Sequence, residues 1–325
     1  MKISRRRLLA ALPAVLAGAT LAQPAAGLRR IGVLSLVARD ADPRLDEFER
    51  ALAALGHVEG KSILIDWLHT DDHPERLPTL VSDLLERRAE VIVATMTGAI
   101  ETARRHTSTV PIVFVAAQDP VGMGYAKSLA RPGLNLTGVA SNSANIAPRQ
   151  LELVRAAVPN ARRIGVVLNP RNRATPQLRG RYEEAAAKLG LDLVVIQAGT
   201  GETLLGSVGA ARSNRVQALV VQADGIFFQS RAGLVQALTA QKMPALFTQV
   251  EHVEAGGLMS YGPDMAESYR RGAHYVDRLL KGAKAAELAI ERPAKIDLTI
   301  NARTAAAFGL TLPATLLKRA DRILR

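Results

Sequence analysis

The residues able to do chemistry in this 325-residue chain sit where short apolar runs end. Thr95-Met96-Thr97-Gly98 follows Val91 to Ala94, and Gln118-Asp119-Pro120 follows the run that starts at Ile112. Asp224-Gly225 follows Ala218 to Gln222, while Ser35, Asn169, Asn172 and Tyr261 hold comparable stations elsewhere. Thr95 to Gly98 opens a helix, whose free N–H groups and dipole favour a carboxylate. Thr97 is equally well explained as the N-cap of that helix. Asp119 before Pro120 matches an ordinary helix start. Asp224 before Gly225 fits either a turn or a charge-assisted bond to an ammonium. One aspartate in each half, together with helix N-termini, suits a zwitterionic ligand.

Other constellations carry less. His69 and His73 flank Asp71 and Asp72, but histidines among carboxylates after a strand read as a solvated turn, so no metal is expected. The chain has no cysteine, hence no disulfide framework and no thiolate nucleophile. No Ser-His-Asp order, nucleophile elbow or P-loop is present. Gly122-Met123-Gly124 lacks the third glycine of a dinucleotide fingerprint, and Gly206 to Gly209 falls inside a helical pattern. Phe227 and Phe228 fit core packing or a hinge contact better than ligand stacking. An enzyme such as a racemase is therefore the weaker reading, and no cofactor is expected.

The elements that position these residues follow from periodicity. Ile31 to Val37, Ile63 to Trp67, Val91 to Ala94 and Ile112 to Ala116 read as buried strands. Between them, Leu45, Phe48, Leu52 and Leu55 share one helix face, as do Leu77, Leu80, Val81, Leu84 and Leu85. Such alternation means βαβ units and parallel sheets. Arg29-Arg30-Ile31-Gly32-Val33 recurs as Arg162-Arg163-Ile164-Gly165-Val166, and Pro111-Ile112-Val113-Phe114 is answered by Pro244-Ala245-Leu246-Phe247 at the same spacing. A duplicated unit explains both matches. The expectation is an α/β protein of two Rossmann-like lobes, residues 27–143 and 144–262, with ligand held between the sheets' carboxyl ends. Residues 263–325 supply a return helix, bearing Met265, Tyr269, Ala273, Val276 and Leu280 on one face, and a tail packing across the lobes. Pro148 to Val158 opens the second lobe as a helix.

Composition bounds the rest. Hydrophobic residues make up 48% and charged residues 22%, as in a folded globular chain. Lys2 and Arg5 to Arg7 precede the short apolar stretch Leu8 to Leu21 and then small residues. Residues 1–26 thus read as a cleaved secretory signal, and Ser4-Arg5-Arg6-Arg7-Leu8-Leu9 matches the twin-arginine pattern; an Arg-rich Sec signal is the alternative. Without those four cations, 38 Lys and Arg face 30 Asp and Glu. They are scattered over helices without interleaved aromatics, so no nucleic-acid partner is expected.

Several blocks together resemble the ABC-transporter substrate-binding proteins related to tryptophan and tyrosine binders. In the first half these are Leu55-Gly56-His57-Val58-Glu59-Gly60-Lys61, Pro74-Glu75-Arg76-Leu77-Pro78, Thr109-Val110-Pro111-Ile112-Val113-Phe114, Asp119-Pro120-Val121-Gly122, Ser128-Leu129-Ala130-Arg131-Pro132-Gly133 and Asn135-Leu136-Thr137-Gly138. In the second they are Val253-Glu254-Ala255-Gly256-Gly257-Leu258-Met259-Ser260-Tyr261-Gly262 and Asp297-Leu298-Thr299-Ile300-Asn301. The resemblance implies a periplasmic-binding-protein type I clamp, monomeric and periplasmic, that delivers a small ligand to an inner-membrane ABC permease. An amino acid or related carboxylate is the implied ligand. A periplasmic sensor presenting its ligand to a membrane receptor is the alternative. Leu36-Val37-Ala38-Arg39-Asp40 departs from the family's Gly-, Ser- and Pro-rich loop after the first strand.

Overall fold

A computed structural model describes residues 28–35, 38–71, 73–141, 143–293 and 295–325. The export signal expected at residues 1–26 lies outside the described residues, as do Leu36, Val37 and Asp72.

The first lobe contains β1 (Arg29–Ser35), α1 (Arg44–Ala54), β2 (Ile63–His69), α2 (Leu77–Glu86), β3 (Val91–Ala94), α3 (Thr97–His106), β4 (Ile112–Gln118) and β5 (Leu136–Ser141). The second contains α4 (Ser143–Ala157), β6 (Arg163–Leu168), α5 (Thr175–Leu189), β7 (Asp192–Gln197), α6 (Gly201–Ser213), β8 (Ala218–Val221), α7 (Gly225–Gln229), α8 (Arg231–Ala240), β9 (Ala245–Phe247), α9 (Glu251–Glu254) and β10 (Met259–Pro263). Then follow α10 (Met265–Leu280), β11 (Ile296–Asn301), α11 (Ala302–Ala307), α12 (Ala314–Leu317) and β12 (Arg322–Leu324).

The sheets repeat one plan. The first runs β2-β1-β3-β4-β5, all parallel, and the second begins β7-β6-β8-β9-β10, also parallel. The repeated sequences thus occupy equivalent strands, β1 with β6 and β4 with β9. Their shared glycine has a steric reason. A Cβ on Gly32 would meet the Leu84 side chain at 2.6 Å, and one on Gly165 would meet Leu219 at 2.6 Å.

Each sheet buries both faces, as parallel strands require. In β3, Val91 and Val93 face one cluster with α1 and α10, while Ile92 and Ala94 face another with α2 and α3. The second sheet does the same between α4 with α5 and α6 with α8. The chain's end is shared out. Tyr269, Ala273 and Val276 of α10 return to the first lobe, whereas β11 pairs antiparallel with β10 and β12 extends that sheet. Between them, residues 288–291 bond to β5, through Thr137 Oγ1 to the Leu288 carbonyl at 2.7 Å and the Glu291 amide to the Gly138 carbonyl at 3.0 Å.

Two local expectations need correction. The helix expected from Pro148 starts at Ser143, with Pro148 in its second turn, where a missing N–H forgoes a single bond. Asp119 starts no helix. It has φ of +37°, and its Oδ1 accepts from the Gly122 amide at 3.0 Å, closing a turn. That local bond is what lets an aspartate hold a left-handed backbone.

Candidate functional site

The carboxyl ends of both sheets open on one cleft of about 230 Å³, lined from both lobes. Of the residues singled out in the sequence, Thr97, Gln118, Asn169, Asn172 and Asp224 line it.

The first lobe contributes the start of α3. Its N-cap is Met96, extended at φ −138° and ψ 159°, with no side-chain cap. Thr97 is therefore the first helical residue, and the capping explanation for it fails. With no side-chain cap from Met96, the first residues of α3 line the cleft, where an anion can satisfy their amides.

The second lobe contributes a carboxylate. Asp224 caps α7 through Oδ1 to the Ile226 amide at 3.1 Å. Asn169 Nδ2 donates to the same oxygen at 3.1 Å, and Asn172 Nδ2 donates to Oδ2 at 3.2 Å. Burial raises its pKa above the usual carboxylate value, while these three donors pull it back. A buried, partly compensated carboxylate of this kind is stabilised by an incoming cation.

The remaining expectations separate. Ser35 and Thr95 are buried beneath the cleft, joined by Thr95 Oγ1 to Ser35 Oγ at 3.3 Å. Asp119 opens on a neighbouring pocket and accepts from Gln177 Nε2 across the lobes at 2.6 Å. It does not face Asp224. Its strand, β4, corresponds to β9, whereas the counterpart of Asp224's strand is β3. Tyr261, two residues short of the cleft-lining Pro263 on β10, packs against the second lobe's core.

Thr248 and Gln249 line the cleft without having been singled out. They follow β9 as Gln118 ends β4, so the Pro111/Pro244 repeat carried the signal. Gln249 is 2% exposed, and its Oε1 lacks a hydrogen-bond partner among the described residues. Beneath it, Gln150 Nε2 donates to Thr248 Oγ1 at 3.1 Å and to the Tyr261 carbonyl at 2.9 Å. That network fixes the cleft floor to β10.

Charge also bridges the cleft. Arg173 Nη1 meets Glu101 Oε1 at 2.9 Å, joining the Asn169–Arg173 loop to α3. The rest of the wall is mixed: Leu77, Met96, Ile226 and Met265 are apolar, while Thr70, Arg105, Arg171 and Gln229 add polar and cationic groups. His69 and Asp71 approach to 3.1 Å and His73 and Glu75 to 2.9 Å, away from the cleft lining. Among the described residues, no group of three metal-ligating side chains gathers. The arrangement can hold a small molecule by two unlike poles.

Comparison with known proteins agrees with this architecture. The family model described as ABC transporter substrate binding protein matches residues 30–324. A tyrosine-binding protein of Clostridioides difficile (strain R20291) is 24% identical over 286 residues, covering 87% of this chain and 81% of its own. A conserved domain protein from Vibrio cholerae superposes with a TM-score of 0.85 at 27% identity, over 91% of this chain and 99% of that one. An ABC domain in complex with L-Trp from Streptococcus pneumonia gives 0.84 at 24% identity, over 91% and 100%. A ligand-free, open substrate binding protein from Clostridium difficile gives 0.64 at 23% identity, over 91% and 99%.

Proposed function

The chain belongs to the ABC transporter substrate-binding protein family, and from that premise we propose that it captures a zwitterionic amino acid between its lobes and delivers it to an ABC permease. The observation that carries this reading is the pair of unlike poles in one cleft. The uncapped α3 N-terminus takes the ligand carboxylate, and Asp224 takes the ammonium. Thr97, Gln118, Asn169 and Asn172 complete the site. Gln249 adds a buried acceptor.

Binding is the whole function in this reading. The family is one of substrate-binding proteins and the L-Trp complex is a ligand-bound relative, and the described residues that line the cleft include no nucleophile paired with a base. Hinge closure between the lobes holds the ligand. The higher TM-score to the L-Trp complex than to the open, ligand-free relative supports a closed arrangement here. Substrate-binding proteins of ABC transporters are extracytoplasmic, and no helix among the described residues is long and apolar enough to cross a membrane. Residues 1–26 act as the export signal, by the twin-arginine route, to the periplasm.

The test is calorimetry with matched probes: L-tryptophan, L-tyrosine, L-leucine, tryptamine and indole-3-propionate. An L-amino acid binds, and each analogue lacking one pole binds at least about tenfold more weakly, since a charge-assisted bond is worth roughly 1.5–3 kcal/mol. Equal binding of an amino acid and its decarboxylated analogue rejects the two-pole site.

A further inference from the structure

Away from the ligand poles, one group of contacts that joins the lobes centres on Arg44. It opens α1 and is only 3% exposed. Half of its seat belongs to the first lobe. Its Nε and Nη2 donate to the two oxygens of the buried Asp42 at 2.5 and 2.9 Å. The Tyr269 hydroxyl of α10 also donates to Asp42 Oδ2, at 3.1 Å.

The other half of the seat belongs to the second lobe. The Phe228 ring lies 3.9 Å from the Arg44 guanidinium carbon, and Glu251 Oε1 lies 3.5 Å from Nη1. Arg231 covers the same ring at 4.3 Å and reaches back to the Ala41 carbonyl at 3.4 Å. Neither Arg44 Nη1 nor Glu251 Oε2 has a hydrogen-bond partner among the described residues. A buried charge with an unfilled donor gains little from its ion pair once desolvation is counted. On the second lobe's side, the ring face is therefore the contact that best holds Arg44 when water is excluded.

Phe228 stands on α7, whose N-cap is Asp224, and its amide donates to the Asp224 carbonyl at 2.9 Å. The ring under Arg44 and the carboxylate in the cleft thus move as one turn of helix. We propose that Arg44 is a positioning residue of the binding site: closing the lobes seats its guanidinium on Phe228 and Glu251, and this clasp sets where α7 presents Asp224 to the ligand. The inference rests on the amino-acid reading for what α7 presents, but the clasp itself is measurable without ligand.

The chain contains no cysteine, so one engineered surface cysteine on each lobe gives a clean dye pair for single-molecule energy transfer. Phe228→Leu keeps apolar volume and removes the ring face. In the full chain without ligand, it lowers the closed fraction at least fivefold relative to wild type. It also speeds L-tryptophan dissociation by a similar factor. Asp42→Asn with Arg44→Gln, which removes both buried charges together, has the same effect, and adding Phe228→Leu to that pair changes little, because both act on one contact. Arg179→Gln, which breaks an exposed helical pair with Glu183, leaves the closed fraction unchanged. The clasp is overturned if Phe228→Leu closes as often as wild type, even with a lowered melting temperature, which marks a packing role alone. It is overturned equally if wild type never shows the short distance without ligand. Failure of every amino acid to bind wild type rejects the ligand reading instead, and leaves the ligand-free distances to decide the clasp.

Discussion

The turn from β3 into α3 and the turn from β8 into α7 hold the same station in the two lobes, yet their chemistry is opposite. Their N-caps share an extended backbone, φ −138° and ψ 159° at Met96 against φ −152° and ψ 150° at Asp224. Met96 offers its helix no acceptor, so amides stay open toward the cleft. Asp224 caps its own helix and keeps a second oxygen directed at Asn172. One cap residue thus decides whether a helix start presents donors or an acceptor. On the proposed reading, a duplicated scaffold becomes a two-pole site by differing at that one place.

The largest effect that would break this contrast is expected at Asp224. Asp224→Asn keeps shape and the cap on the Ile226 amide but sets its NH2 against Asn172 Nδ2, so stability falls by about 1 kcal/mol, the worth of one lost hydrogen bond. Affinity for the bound amino acid, read by calorimetry, falls by about one to two decades. Asp224→Ala is less stable still, because the cap is lost and Asn169 and Asn172 lose their acceptor. Its stability falls by about 1 kcal/mol or more. A variant Asp224→Asn that binds as tightly as wild type removes the acidic pole from the site.

The pH dependence sharpens the same point with two opposite signs. Burial raises the Asp224 pKa in the folded protein above its ordinary 3.8. The unfolded chain therefore releases this proton first, and ligand-free stability from this group falls as pH rises from about 3.8 through the folded value. Ligand binding needs the ionised form, so affinity rises over that same window and then levels off. Other carboxylates tilt the raw curves, so each quantity is measured as the difference between wild type and Asp224→Asn. Matching slopes for stability and affinity are the outcome this account forbids.

A smaller loss is expected at the opposite pole. Thr97 is the first residue of α3, a position that tolerates proline, and the extended Met96 before it suits a following proline. Thr97→Pro thus removes one amide donor while leaving the helix intact. Affinity falls by about fivefold, in line with roughly 1 kcal/mol for one hydrogen bond. Circular dichroism and melting stay near wild type. Unchanged affinity in a folded Thr97→Pro protein places the ligand carboxylate elsewhere.

The contrast between the lobes also shows what a sequence can carry. β3 was legible to its boundaries because a run of branched apolar residues ended in polar ones on both sides. The duplication was legible because Gly32 and Gly165 answer the same crowding in equivalent strands. Tyr261 does not line the cleft because β10 runs two residues further, and Pro263 at its end takes that place. Asp119 and Asp224 could not be placed against each other from chain order, because strand order makes β4 and β8 non-equivalent. β12 is three residues at a sheet edge, too short for any pattern. Arg44 showed only its neighbour Asp42 in the local sequence, since the other residues that seat it lie on α7, α9 and α10.

The smallest effect separates two kinds of bridge between the lobes. Arg173 is largely exposed, with 60% of its side chain open to water, although its partner Glu101 is buried. An ion pair with one end in water is screened by salt and costs side-chain freedom, so its net value is about 0–1 kcal/mol. Glu101 also has Arg104 at 3.7 Å and keeps a cationic neighbour when Arg173 is lost. Arg173→Gln should therefore weaken ligand binding by no more than about threefold, and the effect should vanish in 0.5 M salt, where the screening length is only about 4 Å. The Phe228→Leu effect should persist in the same salt, because that contact is dry and Phe228 carries no charge to screen. Dissociation rates of the two variants at low and high salt test both statements at once. Equal salt sensitivity would mean that the Arg44 contact is as wet as the Arg173 bridge, and the distinction between a buried clasp and a surface pair would fall with it.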